Sequence, residues 1–106
     1  MPKKPRPRVE RRAALRAASK LQSARERLFD LEPGGSAAQP LSIPSAAVVE
    51  THAESVACPR CDGKQEVVEH VAVVTGGQRL REARLRCRMC GSRRSLWFRI
   101  DEPRLN

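Results

Sequence analysis

Three features of the sequence predict a small metal-stabilised β domain preceded by a basic arm and an α-helix. They are two Cys-x-x-Cys pairs, a valine-rich stretch between them interrupted by Gly-Gly, and a proline-free segment of Ala, Leu, Arg and Glu ahead of both. A chain of 106 residues bounds the expectation at one domain with some irregular sequence. Two Phe, one Trp and no Tyr leave little material for a large core. No apolar run reaches the roughly 18 residues a membrane helix needs. The basic N-terminus is not followed by an apolar stretch, so a secretory signal is not expected, and a cytoplasmic location (nuclear in a eukaryote) is.

Residues 1–8, Met-Pro-Lys-Lys-Pro-Arg-Pro-Arg, read as a disordered basic arm, because three prolines remove amide donors and like charges repel. Residues 9–31 read as an α-helix. They lack Pro and Gly and are rich in good helix formers. Ala14, Ala17, Leu21, Ala24, Leu28 and Leu31 recur at three- and four-residue spacing and so share one face. Such a seam suits a solvated helix leaning on a neighbour. A dimerising coiled coil is the sharper reading, but the seam is short and half alanine. Pro33-Gly34-Gly35 ends the helix.

Residues 32–54 read as a Pro/Gly/Ala linker. Near its end Val48-Val49 could begin a strand, or Ser45 could cap a short helix through His52. Residues 55–102 read as the β domain, entered by Ser55-Val56-Ala57 as a strand. Val67, Val68, Val71, Val73 and Val74 are β-branched and favour a pleated surface. Thr75-Gly76-Gly77-Gln78 then turns the chain, since glycine adopts positive φ freely. Residues 79–87 return as a second strand. Leu96, Phe98 and Ile100, alternating with Ser95, Trp97 and Arg99, make a third, so the sheet is expected to be three-stranded and antiparallel.

Cys58-Pro59-Arg60-Cys61 and Cys87-Arg88-Met89-Cys90 each place two sulfurs on one tight turn. Gly63 and Gly91 follow where the chain must bend back. Together Cys58, Cys61, Cys87 and Cys90 supply the closed four-thiolate set of one structural Zn2+. A domain of about 50 residues with so few aromatics buries too little surface to fold reliably alone. Structural zinc contributes an apparent 10–16 kcal/mol or so in small domains, so metal binding and folding should be one equilibrium. A closed four-cysteine site offers no position for substrate. No nucleophile–base pair, carboxylate pair or phosphate loop accompanies it, so an enzyme is not expected. His52 and His70 are surplus to the ligand set, and Arg60, Arg86 and Arg88 are expected to offset thiolate charge.

The formal charge is +9, with ten of the twenty-one basic residues in positions 1–31 and eleven from position 58 onward. Such an excess predicts affinity for a polyanion through counterion release. The expected phosphate contacts are Lys3, Lys4, Arg6, Arg8, Arg11 and Arg12 in the arm and helix, and Arg79, Arg81 and Arg84 on the hairpin. Arg79 and Arg81 share one strand face; Arg84, Arg86 and Arg88 share the other. The alternative is a protein-interaction or assembly factor that binds a partner through the helix and residues 40–54, where Leu41, Ile43, Val48 and Val49 are apolar.

Cys-Pro-Arg-Cys, a hairpin, Cys-Arg-Met-Cys-Gly and a Trp97-Phe98 strand together resemble the C-terminal zinc ribbon of transcription elongation factor TFIIS and related RNA polymerase ribbons, over residues 56–100. The resemblance implies a zinc-ribbon fold and a module that docks on nucleic acid or a nucleoprotein machine such as RNA polymerase or the ribosome. In the transcript-cleavage factors an Asp-Glu pair at the hairpin tip holds a catalytic metal. Here the tip is Thr75-Gly76-Gly77-Gln78, so cleavage is not implied. Glu82, between Arg81 and Arg84, is expected to form a strand salt bridge instead.

Overall fold

The computed structural model describes residues 6–101. In chain order it contains helix α1 (Pro7–Leu31), strand β1 (Leu41–Ile43), a single 3-10 turn (Ala46–Val48), helix α2 (Val49–Glu54), and strands β2 (Gln65–Thr75), β3 (Gln78–Cys87) and β4 (Arg93–Ile100). The strands form one four-stranded sheet in the order β1-β4-β3-β2. The pairs β2–β3 and β3–β4 are antiparallel, whereas β1 runs parallel to β4, with Leu41 opposite Phe98 and Ile43 opposite Ile100. The sheet is therefore mixed and four-stranded, which corrects the expected three-stranded antiparallel ribbon.

The extra strand comes from the segment read as a linker. Within residues 32–54, Leu41-Ser42-Ile43 adds an edge to β4, and Val49–Glu54 forms α2. Val49 and Ala53 of α2 are fully buried and join Ile43, Ala83, Leu85, Leu96 and Phe98 in the core. Docking of this apolar face overrides the linker-like composition around it, as tertiary packing commonly overrides local propensity. Ser45 makes no side-chain capping bond to the turn it precedes. Ser55 does not enter a strand either. It closes α2, with its amide bonded to the carbonyls of Thr51 and His52 and its hydroxyl to His52 O.

Helix α1 starts two residues earlier than expected, because Pro7 occupies the first turn, where the missing amide costs nothing. Residues 1–5 of the expected arm lie outside the described residues. At 25 residues the helix is about 37 Å long, and none of its residues is buried. Only Glu26 and Phe29 are half-buried. Phe29 packs against the core cluster. After the helix, Gly34 takes φ 89° and its carbonyl accepts a bond from Trp97 N at 2.8 Å, which fastens the end of α1 to the edge of β4.

The β2–β3 hairpin closes through Gly76 (φ 57°) and Gly77 (φ 78°), the two left-handed residues of a two-residue hairpin turn. In β4, Leu96 and Phe98 point into the core, while Trp97 is half-buried on the opposite face, opposite Glu82.

Candidate metal centre

Two short knuckles build the site. In the first, Asp62 N donates to Cys58 O at 2.8 Å and Cys58 N to Gly63 O at 2.9 Å. In the second, Gly91 N donates to Cys87 O at 3.0 Å and Cys87 N to Ser92 O at 2.9 Å. The two turns are equivalent residue for residue. The residue just after the second cysteine is left-handed in both: Asp62 at φ 63° and Gly91 at φ 74°. The first knuckle thus bends at Asp62 rather than at Gly63. Gly63 is small for a different reason: a Cβ there would lie 2.6 Å from Met89 Cγ and 3.0 Å from Cys61 Sγ. Arg88 N donates to Lys64 O at 2.9 Å and joins the two knuckles.

The four Sγ atoms lie within 4.8 Å of one another. Cys58 and Cys90 approach to 3.8 Å, Cys61 and Cys87 to 3.3 Å. Sulfurs about 2.3 Å from a tetrahedral zinc ion stand about 3.8 Å apart, so the cluster fits that ion with small adjustments. Cys58 and Cys87 are buried, and Cys61 and Cys90 are exposed. Amides already point at the sulfurs: Gly63 N at 3.3 Å from Cys61, and Met89 N and Cys90 N at 3.4 and 3.5 Å from Cys87.

Without a cation the sulfurs do not ionise alike. Contact with Cys87 is the main effect pushing the Cys61 thiol up to about 12, while the Ser92 hydroxyl leads in drawing Cys90 down to about 6. For Cys58, burial pushes the pKa up, but the Ser92 hydroxyl and the amides of Arg60 and Cys61 outweigh it, and the net direction is down. Such a set takes up a cation by releasing the remaining protons. The four cysteines can therefore hold one metal ion. The two histidines stand elsewhere. His70 Nδ1 lies 3.7 Å from Glu50, and the His52 ring meets Phe98 edge-on at 5.7 Å.

The charge neighbours of the site differ from those expected. Arg86 and Arg88 both turn to Glu66, and the Arg86 hydrogen bond leads in holding that carboxyl below its usual range. The guanidinium at the sulfurs belongs to Arg94. Its Nη2 lies 3.6 Å from Cys58 Sγ and 2.8 Å from Ser92 Oγ. Ser92 Oγ in turn lies 3.5 Å from Cys58 Sγ and 3.1 Å from Cys90 Sγ. Neither residue was legible from the cysteine spacing. Strand register puts Arg94 on the core side of the sheet, opposite Leu85.

The expected phosphate contacts separate into three groups. Lys3 and Lys4 lie outside the described residues. Arg6, Arg8, Arg11 and Arg12 are exposed at the start of α1. On the hairpin, Arg84 pairs with Glu69 at 2.7 Å and Glu82 at 3.4 Å, which realises the expected Glu82 salt bridge. Arg79 and Arg81 make no ion pair among the described residues. With Arg99 they line an open groove at the hairpin end of the sheet. No described helix is long and apolar enough to cross a membrane. No family model, curated protein or solved structure matches this chain.

Proposed function

We propose that the chain is a non-enzymatic zinc module of the cytoplasm that binds nucleic acid, alone or within a nucleoprotein machine, with α1 as its main phosphate grip. One observation carries this reading. Helix α1 buries none of its residues yet holds seven basic residues against three acids, and Arg8, Arg12, Arg16 and Lys20 follow one another at four-residue spacing. Each step rises about 6 Å, so the ladder runs about 18 Å along one face. Like charges four apart destabilise a helix, and basic residues in its first turns oppose the macrodipole. That arrangement costs the free helix stability and favours a bound polyanion. Duplex DNA offers about one phosphate charge per 1.7 Å of axis, enough to meet every rung. A zinc ion closed in by four thiolates supplies the fold and leaves no open position for chemistry.

A second reading keeps a protein partner. Leu15, Leu21, Leu28 and Leu31 are 59–72 % exposed on α1, more apolar surface than a solitary helix needs. Residues 40–54 contribute less to that reading than expected, because Ile43, Val49 and Ala53 are spent on the chain's own core.

The two readings diverge with salt. In fluorescence anisotropy with a labelled duplex and a labelled RNA, replacing Arg8, Arg12, Arg16 and Lys20 by Gln should weaken binding and flatten the slope of log K against log salt. At about 0.9 per phosphate contact, four lost contacts change it by about 3.6 on duplex DNA. An unchanged slope removes α1 as the grip and moves the protein-partner reading to first place.

A further inference from the structure

We propose that Arg94 is a positioning residue that ties α1 to the metal centre, so that loading of the four cysteines sets where the basic helix stands. The inference rests on the zinc reading above and adds a coupling between the two halves of the chain.

The Arg94 side chain is only 11 % exposed, and its Nε is buried without a hydrogen-bond partner among the described residues. A guanidinium so placed needs anions close by. Two are present, from different halves of the molecule. Cys58 Sγ lies at 3.6 Å on the cluster side, and Glu26 Oε1 at 3.7 Å on the helix side. The guanidinium carbon Cζ stands over the Phe29 ring, 5.6 Å from its centroid. Glu26 and Phe29 are the two residues of α1 that are not fully exposed, so this one arginine meets both of the helix's inward contacts. The other ion pair from α1 to the sheet's side of the molecule, Arg25 to Asp62 at 3.3 Å, is between exposed groups and contributes little.

The charge of the cluster decides whether Arg94 stays. A divalent ion in four thiolates leaves a net negative centre, which holds a buried cation beside Cys58. Without the ion the four sulfurs are no longer held around one centre, so the guanidinium loses a fixed partner on that side and its hold on half-exposed Glu26 and on Phe29 weakens. Arg cannot lose its proton to escape that cost. Coupling between two sites is reciprocal. Whatever the metal centre contributes to seating α1, the seated helix returns as tighter retention of metal. Residues on α1 that touch no sulfur should therefore slow metal loss.

The test uses the full chain loaded with zinc. Bound zinc per chain is measured first, then zinc release to a chromogenic chelator, then the tumbling of α1 amides relative to the sheet by 15N relaxation. Arg94→Gln, Glu26→Gln and Phe29→Ala should each keep one zinc per chain and a dispersed sheet spectrum, while α1 tumbles independently. Zinc release should quicken in all three, by about ten-fold for Arg94→Gln, at the low end of what outer-shell partners contribute. Arg25→Ala should stay within about two-fold of the parent. Because Glu26 lies on an open helix, Glu26→Gln keeps the test valid if the other variants fold poorly. Unchanged zinc release in both helix variants, or a helix still seated in Arg94→Gln, overturns the coupling. A parent chain that binds no zinc overturns the zinc reading as well, and the initial stoichiometry separates the two failures.

Discussion

The cysteine-bearing sheet and helix α1 differ in what holds them in shape. The sheet is stabilised by long-range partners: four sulfurs from two knuckles, a seven-residue core, and α2 laid across β2 and β3. Helix α1 has none of these along most of its length, and Leu15 and Leu28 remain 70 % and 61 % exposed. Its shape rests on local terms, helix-forming residues and Pro7 in the first turn, with the seat of Phe29 on the core as a tertiary contact at the far end. Residues that fold the chain and residues that present charge are thus largely different, and substitutions in the two regions should fail in different ways.

The largest effect is expected at the sulfurs. Cys87→Ser removes a buried ligand and with it most of a metal contribution of about 10–16 kcal/mol. The sheet should lose its chemical-shift dispersion while α1 keeps part of its far-ultraviolet helical signal. A variant that retained a dispersed sheet would show that the core suffices without metal. Next comes Phe98→Ala, which empties a fully buried position beneath α2 and His52 and should cost about 3–5 kcal/mol in urea unfolding of the zinc-loaded chain. Leu21→Ala, the same kind of truncation on α1, should stay within about 0.5 kcal/mol. A larger loss would mean that the seam is covered in solution. The smallest effect on binding should come from Arg84→Ala. Glu69 and Glu82 already hold that guanidinium, at 2.7 and 3.4 Å. The salt slope for duplex DNA should not change, in contrast to the four-residue ladder variant of α1.

The parts legible in the sequence were those fixed by short-range pattern. Each knuckle encloses two cysteines within four residues, Gly76-Gly77 specifies its turn, and the alternation of Leu96, Phe98 and Ile100 marks a buried strand face. The rest depends on contacts that spacing does not encode. Strand β1 is three residues long and pairs in parallel with a strand more than fifty positions away. Helix α2 is six residues within a proline- and alanine-rich stretch, and becomes a helix by burying Val49 and Ala53. The pairing of Arg84 with Glu69 follows from a register shift between Val67 and Glu69 that brings Glu69 opposite it. Arg94 reads as one more surface cation until the β3–β4 register turns it toward the cysteines.

The most direct test of the metal-centred fold is the zinc content of the purified chain, measured together with its free thiols. The expected result is one zinc per chain, with four thiols that react slowly until a chelator removes the ion and rapidly afterwards. Well under one zinc, with the cysteines joined in disulfides and the sheet still folded, would contradict it.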